Sequence, residues 1–239
     1  DFFAGSHNLK TVIRWGIGMD SVDHEAARDY GVRVRNTPGV FGQEVADSAF
    51  GYVLNLARGH VAVDSAVRRG EWPKWEGFTL AGTQLGIVGF GTIGHEIAKR
   101  GHGFGMDVVV SDPFVETAPA GVRLVDVDEL LATSRVIVLA CPLTPETFHL
   151  IDAGRLAHVC PDAYLVNVAR GPVVLEADLI DALKARRLAG AALDVFEIEP
   201  LPLDSELRTL PNVLLGAHNG SNTREGAARA SSADVDFLI

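Results

Sequence analysis

Short apolar runs alternate with stretches of helical periodicity along most of this chain. The runs 84–90 and 106–112 have the length and composition of buried strands, and apolar residues between them recur at helical spacing. The alternation then continues through 125–133, 135–140, 152–158, 163–168, 176–187, 189–195 and 213–216. Several of these runs show little apolar/polar alternation, which is typical of strands that helices cover on both faces. The pattern therefore predicts an α/β fold with a doubly wound parallel sheet.

The N-terminal part of the chain has an α/β pattern of its own. Two strand-like segments, 10–15 and 32–34, precede a helix-like stretch at 45–58. The apolar face of that stretch consists of Val45, Ala46, Ala49, Phe50, Val53, Leu54 and Ala57. The turn-forming sequence Asn36-Thr-Pro-Gly39 separates the strands from the helix, and we interpret it as an interdomain hinge. An ordinary loop inside one domain is the alternative.

Three glycines mark the junction between the run 84–90 and the helix that follows it. Gly89 permits a tight turn, Gly91 leaves the backbone open to a phosphate, and Gly94 lets the helix pack closely on the strand. The helix N-terminus adds unpaired N–H groups and a positive dipole. This Gly-x-Gly-x-x-Gly junction predicts a Rossmann domain that binds a dinucleotide, with a plain tight turn as the alternative.

An acid at the end of the next strand indicates which dinucleotide binds. Asp112 lies about 20 residues beyond the glycines, where a carboxylate accepts hydrogen bonds from the ribose hydroxyls of NAD. The same charge repels the 2′-phosphate of NADP, and residues 113–117 contain no Arg or Lys to receive one. NAD is therefore the predicted cofactor. The alternative is that Asp112 only begins a Ser-Asp-Pro turn.

Composition and charge exclude several functions. The 239 residues are 47% hydrophobic, enough to bury one large core, or one domain and part of another. The net charge of −10 disfavours nucleic acid and anionic membranes as partners. Cys141 and Cys160 have neither metal-ligand spacing nor a disulfide framework, which favours a reducing cytoplasm and predicts no metal site. No apolar run approaches the ~18 residues of a membrane span, so no membrane anchor is expected.

Three polar residues follow successive predicted strands, at the edge where ligands of such sheets bind. Arg170 follows 164–169, Glu199 lies just beyond 191–196, and His218 follows 213–217. An Arg can orient a carboxylate and polarise a carbonyl, and a His can exchange a proton near neutral pH. A carboxylate beside that His would stabilise the imidazolium, and Glu199 could supply it. Each residue alone could also be an ordinary loop or surface residue.

Asp194 and the other histidines carry weaker signals. Asp194 ends a predicted strand, and it is either a turn or cap residue or a hydrogen-bond partner of the nicotinamide carboxamide. Six further histidines fall mainly in predicted helices or early loops, and most of them are expected at the surface. They are His24, His60, His95, His102, His149 and His158.

Taken together, the motifs resemble the D-isomer-specific 2-hydroxyacid dehydrogenases, in particular the phosphoglycerate dehydrogenase-like branch. The resemblance covers nearly the whole chain. Besides the glycine junction and Asp112-Pro113, it rests on Gly16-Ile-Gly-Met-Asp-Ser-Val-Asp23, Asn36-Thr-Pro-Gly39, Val45-Ala-Asp47, Cys141-Pro-Leu-Thr-Pro-Glu-Thr147, Asn167-Val-Ala-Arg-Gly171, Asp194-Val-Phe-Glu197 with Glu199-Pro200, and Pro211-Asn-Val213 through His218. One departure is Gly216-Ala217, where many members have a proline, so the local loop geometry is open.

The resemblance implies NAD-dependent interconversion of a D-2-hydroxy acid and a 2-keto acid. It implies Arg170, Glu199 and His218 as the catalytic trio, Asp194 at the carboxamide, and the backbone around Ile17 and Gly18 at the substrate carboxylate, together with Arg170. Cofactor contacts are implied for Gly89, Gly91, Thr92, Ile93, Gly94, Asp112, Cys141, Pro142, Thr147, Ala169 and Asp194. In isolation, Gly16 to Asp23 would be a turn with capping acids, and that alternative stays open for Asp20 and Asp23.

The resemblance also implies a domain plan and a homodimer. A Rossmann NAD domain, 45–222, is expected to be inserted between two pieces of a flavodoxin-like substrate domain, of which the N-terminal part is incomplete here. These pieces are 1–44 and a return helix, 223–239. The dimer is expected to form through the helix from Val45 and the region 72–75, whose tryptophans could equally be ordinary core. Phosphoglycerate and hydroxypyruvate or glyoxylate remain open as substrates, and phosphite oxidation is a further alternative. A formate dehydrogenase is disfavoured, because that branch has a glutamine where Glu199 stands. An NAD(H)-sensing corepressor or scaffold on the same fold is the alternative function.

Overall fold

The computed structural model describes residues 2–236. By their internal contacts these residues divide into two compact units. One unit comprises the chain up to Glu44 together with the segment from Ser221 onward, and the other is Val45–Gly220.

The first unit contains a small parallel sheet. Strand β1 (Thr11–Arg14) pairs with β2 (Arg33–Asn36), and helix α1 (His24–Asp29) connects them. The Asp23 carboxylate caps α1 by accepting the N–H of Ala26 at 2.9 Å, which confirms the capping alternative for this acid. Phe3, Ala27 and Val32 form the buried core of this unit. Helix α8 (Arg224–Asp236) completes it.

The turn after β2 belongs to the interior of the first unit. Thr37 is fully buried, and its hydroxyl accepts the N–H of Gly16 at 2.9 Å while its own N–H donates to the Gly16 carbonyl at 3.3 Å. These bonds fix the turn to the end of β1. The interpretation of 36–39 as an interdomain hinge is therefore wrong, and the segment is an ordinary loop of one unit.

The second unit is built on a seven-stranded parallel sheet, counted over the described residues. Its strands lie in the order β5-β4-β3-β6-β7-β8-β9, which confirms the predicted doubly wound fold. Their bounds are β3 Gln84–Val88, β4 Asp107–Ser111, β5 Val122–Leu124, β6 Val136–Leu139, β7 Tyr164–Asn167, β8 Gly190–Leu193 and β9 Val213–Leu215. The strand order reverses between β3 and β6, and ligands of such sheets bind at that point.

Helices connect the strands of this sheet. They are α2 Gly42–Arg58, which begins in the first unit, α3 His60–Arg68, α4 Thr92–Gly103, α5 Val127–Thr133, α6 Ala153–Leu156 and α7 Glu176–Lys184. The predicted apolar face of α2 is buried except for Leu54, which is half-buried. Strands β6 and β8 are buried at every position, as the lack of alternation in their sequences predicts.

Three of the helices and strands named above were not predicted. Helix α1 has six residues, of which only Ala27 is buried, so it gives no clear helical periodicity. Helix α3 follows α2 after only Gly59, whose φ of +62° ends α2. Most residues of α3 are exposed to solvent, and its sequence has only a weak apolar periodicity. Strand β5 has three residues at the edge of the sheet, too few to give a pattern.

Candidate active site

The glycine loop lies between β3 and α4, beside the point where the strand order reverses. Gly89 has φ +92°, and a Cβ there would come within 2.6 Å of the Cys141 backbone. A Cβ on Gly94 would lie 2.3 Å from the Gly89 carbonyl oxygen, so glycine is what lets α4 approach the loop. At exposed Gly91 a Cβ would meet none of the described residues within 4 Å.

This loop offers the features that a dinucleotide needs. The space at Gly91 is open, and Thr92 and Ile93 begin a helix of 12 residues whose first N–H groups have no partner within the helix. The residues therefore fit the pyrophosphate of NAD, as the sequence predicts.

Asp112 follows β4 and holds the glycine loop. One carboxylate oxygen accepts the N–H of Phe90 at 2.7 Å, and the other accepts the N–H of Phe114 at 2.9 Å. Each carboxylate oxygen has a further lone pair. Asp112 thus shapes the loop and keeps capacity to accept from a ribose hydroxyl, the role predicted for it.

The segment after β6 faces the glycine loop through Cys141. Cys141 is buried, and burial, with a smaller contribution from the charge of Asp112, raises the pKa of its thiol to about 11. Thr147 closes the turn that follows, because its hydroxyl donates to the Pro142 carbonyl and accepts the N–H of Thr144, each at 2.7 Å. These bonds close the turn from Pro142 to Thr147, which follows the buried Cys141.

Arg170 lies beyond the carboxyl end of β7 in a segment that Asn167 organises. The buried amide of Asn167 accepts the N–H of Ala169 at 3.0 Å and donates to the Arg170 carbonyl at 3.0 Å. The Arg170 guanidinium donates to the Ala169 carbonyl at 2.7 Å and is half-buried. Asn167 was not among the predicted site residues. An amide at the end of a buried strand is the signal that could have indicated one.

Glu199 and His218 meet beyond β8 and β9. One Glu199 oxygen lies 2.7 Å from His218 Nδ1, and the other accepts the N–H of Phe196 at 3.0 Å. Since a carboxylate only accepts, Nδ1 donates and leaves Nε2 as the reactive nitrogen. Both side chains are partly exposed, at 42% for His218 and 35% for Glu199, so a small molecule can reach them.

Asp194 holds the loop that carries His218. Its carboxylate accepts the N–H groups of Asn219 and Gly220 and the hydroxyl of Tyr52, at 3.1, 2.8 and 2.9 Å. Burial, followed by the charge of Asp194, raises the pKa of Tyr52. His218 has φ +52°, an uncommon conformation for a residue with a side chain, and these bonds fix it there. Asp194 is thus a turn residue in this structure, and its predicted contact with the nicotinamide carboxamide stays a prediction.

Gly216 has a clear reason to be glycine. A Cβ there would lie 2.2 Å from the Tyr52 hydroxyl and 2.3 Å from the Asp194 carboxylate. The loop geometry that the Gly216-Ala217 departure left open therefore still brings His218 to Glu199.

The predicted substrate-binding backbone lies in the first unit. Ile17 and Gly18 follow β1 after Trp15 and Gly16, and the Ile17 carbonyl accepts a hydrogen bond from the side-chain amide of Asn36 at 2.8 Å. Gly16, with φ +103°, turns the chain ahead of them.

His149 is half-buried, whereas the other five histidines of that group are exposed, as was expected of most of them. Its Nε2 lies 2.8 Å from a Glu197 oxygen, and both side chains are about 30% exposed. The Glu197 N–H in turn donates to Glu176 at 3.3 Å. Burial raises the pKa of Glu176, and the charge of Glu197 adds to this.

The family model described as D-isomer specific 2-hydroxyacid dehydrogenase, NAD binding domain, matches residues 50–220. This chain belongs to that family. Among the D-isomer specific 2-hydroxyacid dehydrogenases, a glyoxylate reductase of Thermococcus litoralis is 43% identical over 240 residues, which cover 95% of this chain and 71% of that protein. A D-3-phosphoglycerate dehydrogenase of Methanocaldococcus jannaschii is 38% identical over 238 residues, which cover 97% of this chain and 45% of that protein.

Solved structures of the family have the same fold. An NAD-dependent formate dehydrogenase from Staphylococcus aureus in complex with NAD gives a TM-score of 0.91 at 33% identity, with 98% of this chain and 72% of that one covered.

The family and its members establish the class of activity. This chain is an NAD-dependent oxidoreductase that interconverts a D-2-hydroxy acid and a 2-keto acid, and NAD is its cofactor. The relatives give no support to the corepressor alternative. Among residues 2–236, no helix is long and apolar enough to cross a membrane, and no group of three or more potential metal ligands occurs.

Proposed function

We propose that this enzyme reduces a small 2-keto acid, glyoxylate or hydroxypyruvate, with Arg170, Glu199 and His218 as its catalytic residues. The observation that carries the proposal is the 2.7 Å contact between His218 Nδ1 and Glu199, at the carboxyl edge of the same sheet that presents Arg170. The identity to the T. litoralis glyoxylate reductase supports this substrate class.

The protein's own residues have distinct tasks in this mechanism. The cofactor, when bound, would supply a hydride to C2 of the keto acid as NADH, or accept one from C2 of the hydroxy acid as NAD⁺. The Arg170 guanidinium binds the substrate carboxylate and polarises the C2 oxygen. During reduction His218 donates a proton from Nε2 to that oxygen, and during oxidation it takes the proton back. Glu199 orients the imidazole through Nδ1 and stabilises the imidazolium.

The predicted binding residues in each compact unit are proposed to have the following roles. The unit Val45–Gly220 would bind NAD through the glycine loop, Asp112 and the segment after β6. The first unit would contribute the backbone N–H groups at Ile17 and Gly18 to the substrate carboxylate. The fixed turn around Gly16 and Thr37 supports that role, because it holds this backbone in one conformation.

The enzyme is further proposed to act as a homodimer in the cytoplasm. Trp72 and Trp75 are 77% and 49% exposed, so they are not ordinary core, and Val61 and Val67 on α3 are 57% and 43% exposed. Large apolar side chains grouped along one stretch of chain favour a protein interface. The two free thiols, Cys141 and Cys160, support a reducing compartment.

A panel of substrates tests the proposed activity. The full-length protein is assayed for NADH oxidation with glyoxylate, hydroxypyruvate and 3-phosphohydroxypyruvate, and for NAD reduction with formate as a control. The proposal expects the highest kcat/KM with glyoxylate or hydroxypyruvate. A clear preference for 3-phosphohydroxypyruvate would overturn the substrate class, and inactivity with all three keto acids would overturn the mechanism.

A further inference from the structure

A second histidine–glutamate pair lies next to the catalytic loops without belonging to the trio. His149 Nε2 donates to Glu197 Oε1 at 2.8 Å, and the two residues are 48 positions apart in the chain. Phe148 stacks on the His149 ring with centroids 3.9 Å apart, which fixes the plane of the imidazole. The pair joins two segments that the sequence does not connect.

The backbone of His149 is bound to the segment that carries Arg170. Its N–H donates to the Pro172 carbonyl at 2.8 Å, and two residues later the N–H of Ile151 donates to Val173 at 3.0 Å. His149 has φ +51°, a left-handed conformation that a residue other than glycine adopts only when its surroundings hold it. His149 is therefore anchored beside the Arg170 loop.

Glu197, the partner of His149, lies in the loop that carries Glu199. One residue before it, the Phe196 N–H donates to the Glu199 carboxylate at 3.0 Å. Gly171 packs against the same loop so closely that a Cβ there would lie 1.9 Å from the Phe196 carbonyl carbon. The contact between the Arg170 loop and the Glu199 loop thus has a tightly packed centre, with the His149–Glu197 bond at its margin.

Glu197 lies beside a second acid, Glu176. Its N–H is bound by Glu176, whose carboxylate is buried enough for its pKa to be raised, and the charges of the two acids repel each other. The His149 N–H compensates the charge of the Glu197 carboxylate there.

We propose that His149 is a positioning residue, which clamps the Glu199 loop to the Arg170 loop and so keeps the Glu199 carboxylate at His218. The inference rests on the proposed roles of Arg170, Glu199 and His218. It adds a fourth residue that touches none of the reacting atoms.

Two substitutions of His149 separate the clamp from a merely structural role. His149→Phe keeps a ring to stack on Phe148 but loses the donor, whereas His149→Gln keeps a donor near the position of Nε2. We expect His149→Phe to lower kcat for keto-acid reduction about tenfold, since small misplacements of catalytic groups are costly. The dissociation constant of NADH should stay within about twofold, and His149→Gln should recover most of kcat. Equal activity of His149→Phe and wild type, or equal loss in both variants, would overturn the clamp.

The partner residue gives an independent test if His149→Phe folds poorly. Glu197→Met removes the acceptor and keeps a chain of similar length. If the bond acts as one unit, Glu197→Met lowers kcat as much as His149→Phe, and the double variant loses no more than either. If the fold-losses in kcat of the two single variants multiply in the double variant, the two residues act separately, which would contradict the proposal.

Amide exchange provides a readout that needs no turnover. Without NAD, the peptide 194–200 should exchange hydrogen for deuterium faster in Glu197→Met than in wild type, because the Phe196 N–H is less well held. Unchanged exchange contradicts the clamp.

If His218→Ala is inactive while Glu197→Met is normal, only the clamp fails. If His218→Ala keeps full activity, the proposed function itself fails.

Discussion

At the scale of single residues, hydrogen bonds hold the proposed catalytic side chains in place. His218 is fixed from three directions: Glu199 at its ring, the Asp194 carbonyl at its N–H, and the Asp194 carboxylate at the next two N–H groups. These bonds offset the conformational energy of its positive φ, which orients the imidazole towards Glu199. A free histidine in a loop would spend most of its time in other conformations.

The Cys141 thiol is predicted to be unreactive toward alkylating agents, although it lies beside the glycine loop. With a pKa of about 11, only about a thousandth of this thiol is thiolate at pH 8. We expect iodoacetamide to leave Cys141 unmodified at pH 8 in the native protein and to alkylate it after unfolding in urea. Mass spectrometry of the peptides measures both, and rapid modification of native Cys141 would contradict the raised pKa.

At the scale of elements, replacing Gly91 or Gly94 of the glycine loop by alanine is predicted to have different effects on stability and on NADH binding. Gly94→Ala would force α4 away from Gly89, with an expected loss of stability of roughly 1–3 kcal/mol and weaker NADH binding. Gly91→Ala meets no described residue, so stability should be unchanged while the methyl group obstructs the pyrophosphate. Urea unfolding without cofactor and fluorescence titration with NADH separate the two effects. Normal NADH affinity in both variants would exclude this loop as the phosphate site.

Helix α7 begins with an acid whose burial is predicted to destabilise the protein near neutral pH. The folded state raises the pKa of Glu176 above its ordinary value of 4.5, so folding favours the protonated form. Stability is therefore lost as pH rises from about that value through the raised one. Glu176→Gln keeps an acceptor for the Glu197 N–H and removes the charge.

The difference in free energy of unfolding between Glu176→Gln and wild type should increase with pH. The free energy of unfolding of Glu176→Gln should exceed that of wild type at pH 7.5, and the excess should shrink toward pH 4.5. Urea unfolding at the two pH values measures it. A variant less stable than wild type at pH 7.5 would contradict the raised pKa.

At the scale of the whole molecule, the exposed tryptophans are predicted to be covered by a second copy of the chain. Light scattering should give twice the mass of one chain at micromolar concentration, and Trp72→Lys should reduce it to the monomer. Leu203→Lys is the control, because Leu203 is equally apolar and is 91% exposed. A monomeric wild type would remove the proposed dimer.

The features that the sequence alone could predict are those that depend on residues close together in the chain. The glycine junction, the strand rhythm and the polar residues at strand ends are local signals, so the parallel sheet and the positions of Arg170, Glu199 and His218 could be derived from them. The bonds from Tyr52 to Asp194 and from His149 to Glu197 join residues 142 and 48 positions apart, and no local pattern encodes them. The turn at 36–39 was misjudged for the same reason, because Thr37 is held by Gly16, 21 positions earlier.

The most direct test of the account compares His218→Ala with wild type in both turnover and cofactor binding. The account predicts that kcat for glyoxylate or hydroxypyruvate reduction falls at least about a hundredfold, because no other group donates the proton. The dissociation constant of NADH should stay within about twofold, since the glycine loop is untouched. His158→Ala, which changes an exposed histidine, should behave as wild type in both measurements. Full turnover by His218→Ala would contradict the account.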